Sequence, residues 1–207
     1  MFVPSQPLIL ASSSPRRKDL LSLTGLAFQI VPAVIDESSL PSEEPEDFAK
    51  RMATEKALQI AHLYPEACVV GADTVVTHGN RIFGKPRNQE EALTMLKSLQ
   101  GKTHTVITGF ALMMKHRGMF KADTEVTAVT FGTFDEAVLT SYVGTGEPMD
   151  KAGAYGIQGA GGFLIREICG SYSNVVGLPM LPIVEILLRW NCIRPDQGLR
   201  PPQLPFD

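Results

Sequence analysis

The chain has 207 residues, a formal net charge of −3, 44% hydrophobic residues and 20% charged residues. That composition belongs to a folded globular protein, and the acidic balance argues against a general nucleic-acid binder, which carries a strong basic excess. Apolar runs fall short of a membrane span and Met1 to Pro7 has no leader pattern, so the expectations are no membrane partner and a cytoplasmic location.

Strand and helix signals alternate along the sequence. Leu8-Ile9-Leu10 is an apolar β-like run that stops in Ser12-Ser13-Ser14-Pro15, and an amphipathic pattern (Leu20, Leu21, Leu23) then predicts a helix ending at Gly25. Phe28 to Val31 reads as a strand, followed by a turn-rich acidic stretch from Asp36 to Glu46. Pro45 suits a first helical turn, and Phe48, Met52, Ala53, Ala57 and Ile60 recur at helical spacing, predicting a helix to about Leu63. Cys68 to Val76 reads as a buried strand and His78-Gly79-Asn80 as a turn. Asn88 with Glu91 forms a capping box for a helix to Leu99, closed by Gly101. Thr103 to Met114 and Ala122 to Phe131 are β-branched runs around Arg117-Gly118, predicting an antiparallel pair. Thr133 with Glu136 predicts a second capping box, for a helix ending near Gly144. A glycine-dense segment, Gly153 to Gly162, leads to a strand at Phe163 to Ile168, and a last helix spans Pro182 to Trp190. The pattern predicts an α/β fold with a mixed sheet, one domain over residues 1–194 and a loose tail over 195–207.

Cys68, Cys169 and Cys192 are far apart and read as buried free thiols. His62, His78, His104 and His116 are scattered without zinc spacing. The chemistry lies elsewhere. A strand, a hydroxyl-rich turn and a helix start bearing Arg16, Arg17 and Lys18 together make an anion site, because N–H and O–H donors, the helix end and planar guanidinium forks all suit phosphate. Gly79 to Lys85 imitates a P-loop, but Pro86 has neither the hydroxyl nor the N–H that motif needs; Lys85 remains a candidate phosphate contact. Asp73, inside Gly71-Ala72-Asp73-Thr74, is a carboxylate in an apolar run and needs a partner, with Gly71 and Ala72 keeping the backbone slim enough for a ligand. Asp36-Glu37 is a second carboxylate pair. Lys56 lies midway along the second helix, and Gln158 offers an amide flanked by glycines that can donate and accept at once.

Ala11-Ser12-Ser13-Ser14-Pro15-Arg16-Arg17, Glu55-Lys56-Ala57, Gly71-Ala72-Asp73-Thr74-Val75, Gly84-Lys85-Pro86 and the long run from Glu147 to Gly159 stand in the order of the motifs of the Maf family of nucleotide pyrophosphatases. The chain resembles that family over roughly Pro7 to Trp190. The resemblance implies a curved mixed sheet like that of inosine-triphosphate pyrophosphatases, with flanking helices and two lobes around a cleft. It implies hydrolysis of nucleoside triphosphates to monophosphate and pyrophosphate with a divalent cation, magnesium or manganese. Catalytic roles fall on Asp73, Lys56 and Glu37, metal binding on Asp73 with Asp36 or Glu37, and substrate binding on Ser14, Arg16, Arg17, Thr74, Lys85 and Gln158. Arg16, Thr74 and Gln158 look like the branch acting on dTTP, UTP and modified uridine triphosphates. The alternatives are the 7-methyl-GTP branch and a non-catalytic nucleotide-binding regulator of cell division. A homodimer is the expected assembly.

Overall fold

A computed structural model of the protein describes residues 1–79, 81–196 and 198. The strands are β1 (Phe2–Pro4), β2 (Leu8–Leu10), β3 (Gln29–Ile30), β4 (Cys68–His78), β5 (Arg81–Phe83), β6 (Thr103–Met114), β7 (Met119–Phe131), β8 (Ile165–Cys169) and β9 (Ile193–Pro195). The helices are α1 (Pro15–Ser22), α2 (Pro45–Leu63), α3 (Gln89–Leu99), α4 (Glu136–Gly144), α5 (Tyr172–Val176) and α6 (Met180–Arg189). The main sheet runs β3-β2-β4-β6-β7-β8, with β5 beside β4, while β1 and β9 form a separate antiparallel ribbon. β2 is parallel to β3 and β4, and the other pairings are antiparallel, so the sheet is mixed as expected.

Period-two alternation gives the long strands β4 and β6 two different faces. One face takes α2: Val69, Val75, Ile107 and Ala111 pack against Ala49, Ala53 and Ala57. The helix lies unusually close, because its backbone rests on two glycines. A Cβ at Gly71 would collide with the Ala53 carbonyl, and one at Gly109 with the Ala49 carbonyl and the Lys50 N–H. Gly71 is therefore slim for the sake of helix packing and not for a ligand, and Ala72 is fully buried in the core. On the opposite face, Val70, Ala72, Phe110 and Leu112 pack with α1 and α6, whereas Val76, Val106 and Phe131 pack with α3 and α4. The paired threonines Thr74 and Thr108 separate these two clusters.

Most elements fall close to expectation, and the departures have local causes. Asn88 accepts the Glu91 N–H, but the Glu91 carboxylate reaches past the box to the Arg87 N–H. The second box does not form. Phe134 donates its N–H to Gln100, the chain stays extended through Asp135, and α4 starts only at Glu136. Phe163 belongs to a 3-10 turn, so β8 begins at Ile165, and Cys169 is exposed while Cys68 and Cys192 are buried. β1 and the short α5 were not foreshadowed by the sequence pattern. Pro195, where the tail was expected to start, ends β9 opposite Phe2; positions 197 and 199–207, like Asn80 of the expected turn, lie outside the described residues.

His104 lies at the centre of the second cluster. It is 1% exposed, its Nε2 pairs with the Tyr155 hydroxyl at 2.8 Å and its ring meets Phe131 edge-on. Burial, with a smaller push from His78, lowers its pKa from 6.5 to about 4. The unfolded chain therefore binds the proton first. Stability from this residue is complete above the unfolded value and is lost as pH falls from 6.5 toward about 4. Denaturant unfolding is expected to lose about 2 kcal/mol between roughly pH 7 and pH 5 through this group, a loss absent from His104→Gln. Equal pH dependence in the two proteins would exclude it.

Candidate active site

β4 is paired with β6 on one edge from Val69 to Thr77. Its other edge is taken by β2 only as far as Val70 and by β5 only from Val76. Gly71 to Val75 consequently have no strand partner on that edge among the described residues, and the sheet is open there. Asp73 and Thr74 sit in this gap, beyond the carboxyl end of β2, where open α/β sheets collect ligands. Asp73 is thus in mid-strand and not at a strand end.

Consecutive residues of a strand point to opposite faces, so Asp73 and Thr74 gather separate groups. On the α2 side, the Lys56 ammonium lies 2.6 Å from Asp73 Oδ1 and 2.6 Å from Glu37 Oε1. Lys56 is 8% exposed, which the two carboxylates make tolerable. Burial would raise the Glu37 carboxyl, but the Lys56 hydrogen bond and charge, with Lys85 and Arg17 further off, hold it below the usual carboxylate range. Asp36 turns away: its Oδ1 accepts from the Ser38 N–H and hydroxyl in a surface turn. Glu37 arrives on a loop strapped to α2, where Gln59 pairs with both backbone groups of Val34 and Arg51 clamps Glu43 and the Ser38 carbonyl.

On the other face, Arg17 donates to the Gly177 carbonyl at 2.7 Å, to Ser12 Oγ at 3.2 Å and to Thr74 Oγ1 at 3.0 Å. All three partners are neutral, so its charge is not cancelled by contact. Burial draws the guanidinium below its ordinary pKa, opposed by nearby Asp73. Thr74 shares a hydrogen bond with Thr108, which donates to the Asn174 carbonyl. Ser14 is the N-cap of α1 but its hydroxyl caps nothing, and the Arg16 and Arg17 N–H groups have no partner among the described residues. Such a helix start, next to an uncancelled arginine, suits an anion. Lys85 is exposed just after β5, on the far side of the gap, without an ion pair among the described residues.

Arg16 is engaged by Asp150 at 2.8 Å, which also pairs with Lys151. Burial opposes ionisation of Asp150, but these two cations hold it at about 2. Gln158 is exposed, and its amide makes no protein hydrogen bond among the described residues. The structure therefore brings together Glu37, Lys56 and Asp73, and sets Ser14, Arg17, Thr74 and Lys85 around the same opening. Ser12, Thr108, Asn174, Glu147 and Asp150 belong to this neighbourhood as well. Ser12 belongs to the serine run and Glu147 and Asp150 to the run from Glu147 to Gly159, whereas Thr108 and Asn174 carry no sequence signal.

Residues 7–190 match the family model described as Maf-like protein. The chain belongs to the Maf family. Three curated relatives named dTTP/UTP pyrophosphatase are similar to this Maf protein over most of their length. The protein of Desulfotalea psychrophila is 47% identical over 193 residues, 93% of this chain and 99% of the relative. That of Syntrophus aciditrophicus is 48% identical over 183 residues, covering 88% and 89%. That of a Geobacillus strain is 48% identical over 183 residues, covering 88% and 97%.

Proposed function

We propose that this chain hydrolyses dTTP and UTP, with modified uridine triphosphates, to the monophosphate and pyrophosphate. The observation that supports this most directly is the opening in the β4 edge. There a lysine-bridged pair of carboxylates faces one way and an uncancelled arginine beside a helix start faces the other. The names of the relatives supply the substrate class.

In this reading the triphosphate lies across the opening, its phosphate oxygens on Arg17, Lys85, the Ser14 hydroxyl and the first N–H groups of α1. These groups oppose the charge that builds on the leaving pyrophosphate. Asp73 Oδ1 is fixed by Lys56, while Oδ2 has no protein hydrogen bond among the described residues and is placed to take the proton of a water attacking the α-phosphorus. Lys56 orients Asp73 and Glu37 and favours the ionised form of Glu37. The trio carries one net negative charge, and its oxygen donors fit a magnesium or manganese ion, which takes one or two carboxylates and fills the rest of its shell with phosphate and water. Asp73 and Glu37 would hold that ion, which when bound supplies charge neutralisation for the phosphates. A homodimer, which rests on the family resemblance, and a cytoplasmic setting, which rests on the sequence reading, complete the proposal.

Base choice is assigned to Gln158. Uracil and thymine present a carbonyl acceptor beside an N3–H donor, which a carboxamide meets with two hydrogen bonds. Cytosine lacks the N3–H and leaves groups unpaired, a mismatch that such sites reject strongly. A panel of triphosphates with pyrophosphate release as readout is expected to show dTTP and UTP cleaved well, CTP poorly, and Gln158→Glu with reduced discrimination. Efficient 7-methyl-GTP cleavage with negligible dTTP and UTP activity would overturn the assignment.

A further inference from the structure

The segment that carries Gln158 is irregular, and its conformation is held from below by one side chain. The Glu147 carboxylate accepts the Ala160 N–H at 2.8 Å, the Gly161 N–H at 3.1 Å and the Tyr142 hydroxyl at 3.0 Å. Tyr142 in turn accepts the Gly156 N–H at 3.3 Å. The carboxylate fills the space beneath the loop: a Cβ at Gly159 would strike it, and one at Gly161 would strike the Tyr142 hydroxyl. Glu147 and Tyr142 thus grip the chain at Gly156 on one side of Gln158 and at Ala160-Gly161 on the other. Gln158 itself has no other anchor among the described residues. The same short turn ends at Asp150, which holds Arg16.

We infer that Glu147 is a positioning residue for base selection: its carboxylate fixes the loop over residues 156–161 so that the Gln158 amide meets the base edge in one orientation. This rests on the reading of Gln158 given above. The physical reason is that an amide discriminates only if it cannot rotate or withdraw. A freely moving carboxamide can present its oxygen or its nitrogen to either base and so distinguishes neither. An ionised carboxylate accepting two backbone N–H groups and a phenol is a strong clamp for such a loop.

The test is the ratio of kcat/KM for dTTP to that for CTP, measured in wild type, Glu147→Gln, Gln158→Ala and the double variant, with thermal melts of each. Glu147→Gln keeps the shape but puts an NH2 where an acceptor is needed. The ratio is expected to fall about tenfold, the scale of one or two unsatisfied hydrogen bonds, with the loss mainly in KM for dTTP. Because the effect runs through Gln158, the substitution is expected to change the ratio no further in the Gln158→Ala background. Tyr142→Phe removes one anchor by a second route and is expected to lower the ratio severalfold, which keeps the test open if Glu147→Gln does not fold. A wild-type ratio in folded Glu147→Gln and Tyr142→Phe overturns the inference, as does an undiminished effect in the Gln158→Ala background. A wild-type ratio in Gln158→Ala alone would instead sink the base-reading role of Gln158, and the inference with it.

Discussion

Asp73→Asn is expected to lower turnover of dTTP by about a hundredfold or more, the scale of losing a positioned proton acceptor. The substitution keeps the size of the side chain but removes its charge. It affects two groups at once, since Oδ1 is the partner of Lys56 and Oδ2 is the oxygen proposed above to take the water's proton. Lys56 retains Glu37 at 2.6 Å, so the buried ammonium is not left without a counter-charge and the fold is expected to survive. Pyrophosphate release measured beside a melting curve separates the two effects. Near-normal turnover in a folded variant would remove Asp73 from the mechanism.

Gly109→Ala is expected to carry the largest cost in stability. The added methyl group would occupy the space of the Ala49 carbonyl and the Lys50 N–H, which are backbone atoms that cannot rotate aside. α2 must lift from the sheet, and overpacking of this kind costs on the order of 3 kcal/mol, lowering the melting temperature by roughly 10 °C in a chain of this length. Since α2 carries Lys56, the displacement also moves the ammonium from Asp73, and activity is expected to fall in the protein that remains folded. Gly144→Ala is the matched control, because a Cβ there meets nothing within 4 Å. A melting temperature for Gly109→Ala equal to that of Gly144→Ala would refute the close approach.

What could be read in advance follows the range of the forces involved. The α2 helix was legible because its apolar positions recur every three or four residues, and Asn88 was legible as a cap because its partner is three residues away. The same local logic failed at Thr133, where Gln100 claims the Phe134 N–H from 34 positions upstream. Asp73 and Lys56 stood out as charges in apolar patterns. The resemblance groups them in one site, but their contact could not be read from the pattern, since it depends on how closely Gly71 and Gly109 let α2 settle on the sheet. The choice between Asp36 and Glu37 likewise turns on a loop whose path is set by Gln59 and Arg51 on a separate helix. Thr108 and Asn174 look like ordinary members of their elements, and Glu147 opens a recognisable motif that does not say what its carboxylate holds. Their roles arise only when distant backbone groups are brought to them.

The paired threonines that split one face of the sheet do not split the molecule mechanically. β4 carries Val70 and Ala72 into one apolar cluster and Val76 into the other, and β6 carries Leu112 into the first and Val106 into the second. Neither cluster can come apart without fraying strands that the other also needs. The protein is therefore expected to melt in a single transition, and a substitution in either half is felt as a lower common melting temperature, with no separate early step. An enzyme with an opening between its halves thereby keeps them in register across the full range of temperatures at which it is folded.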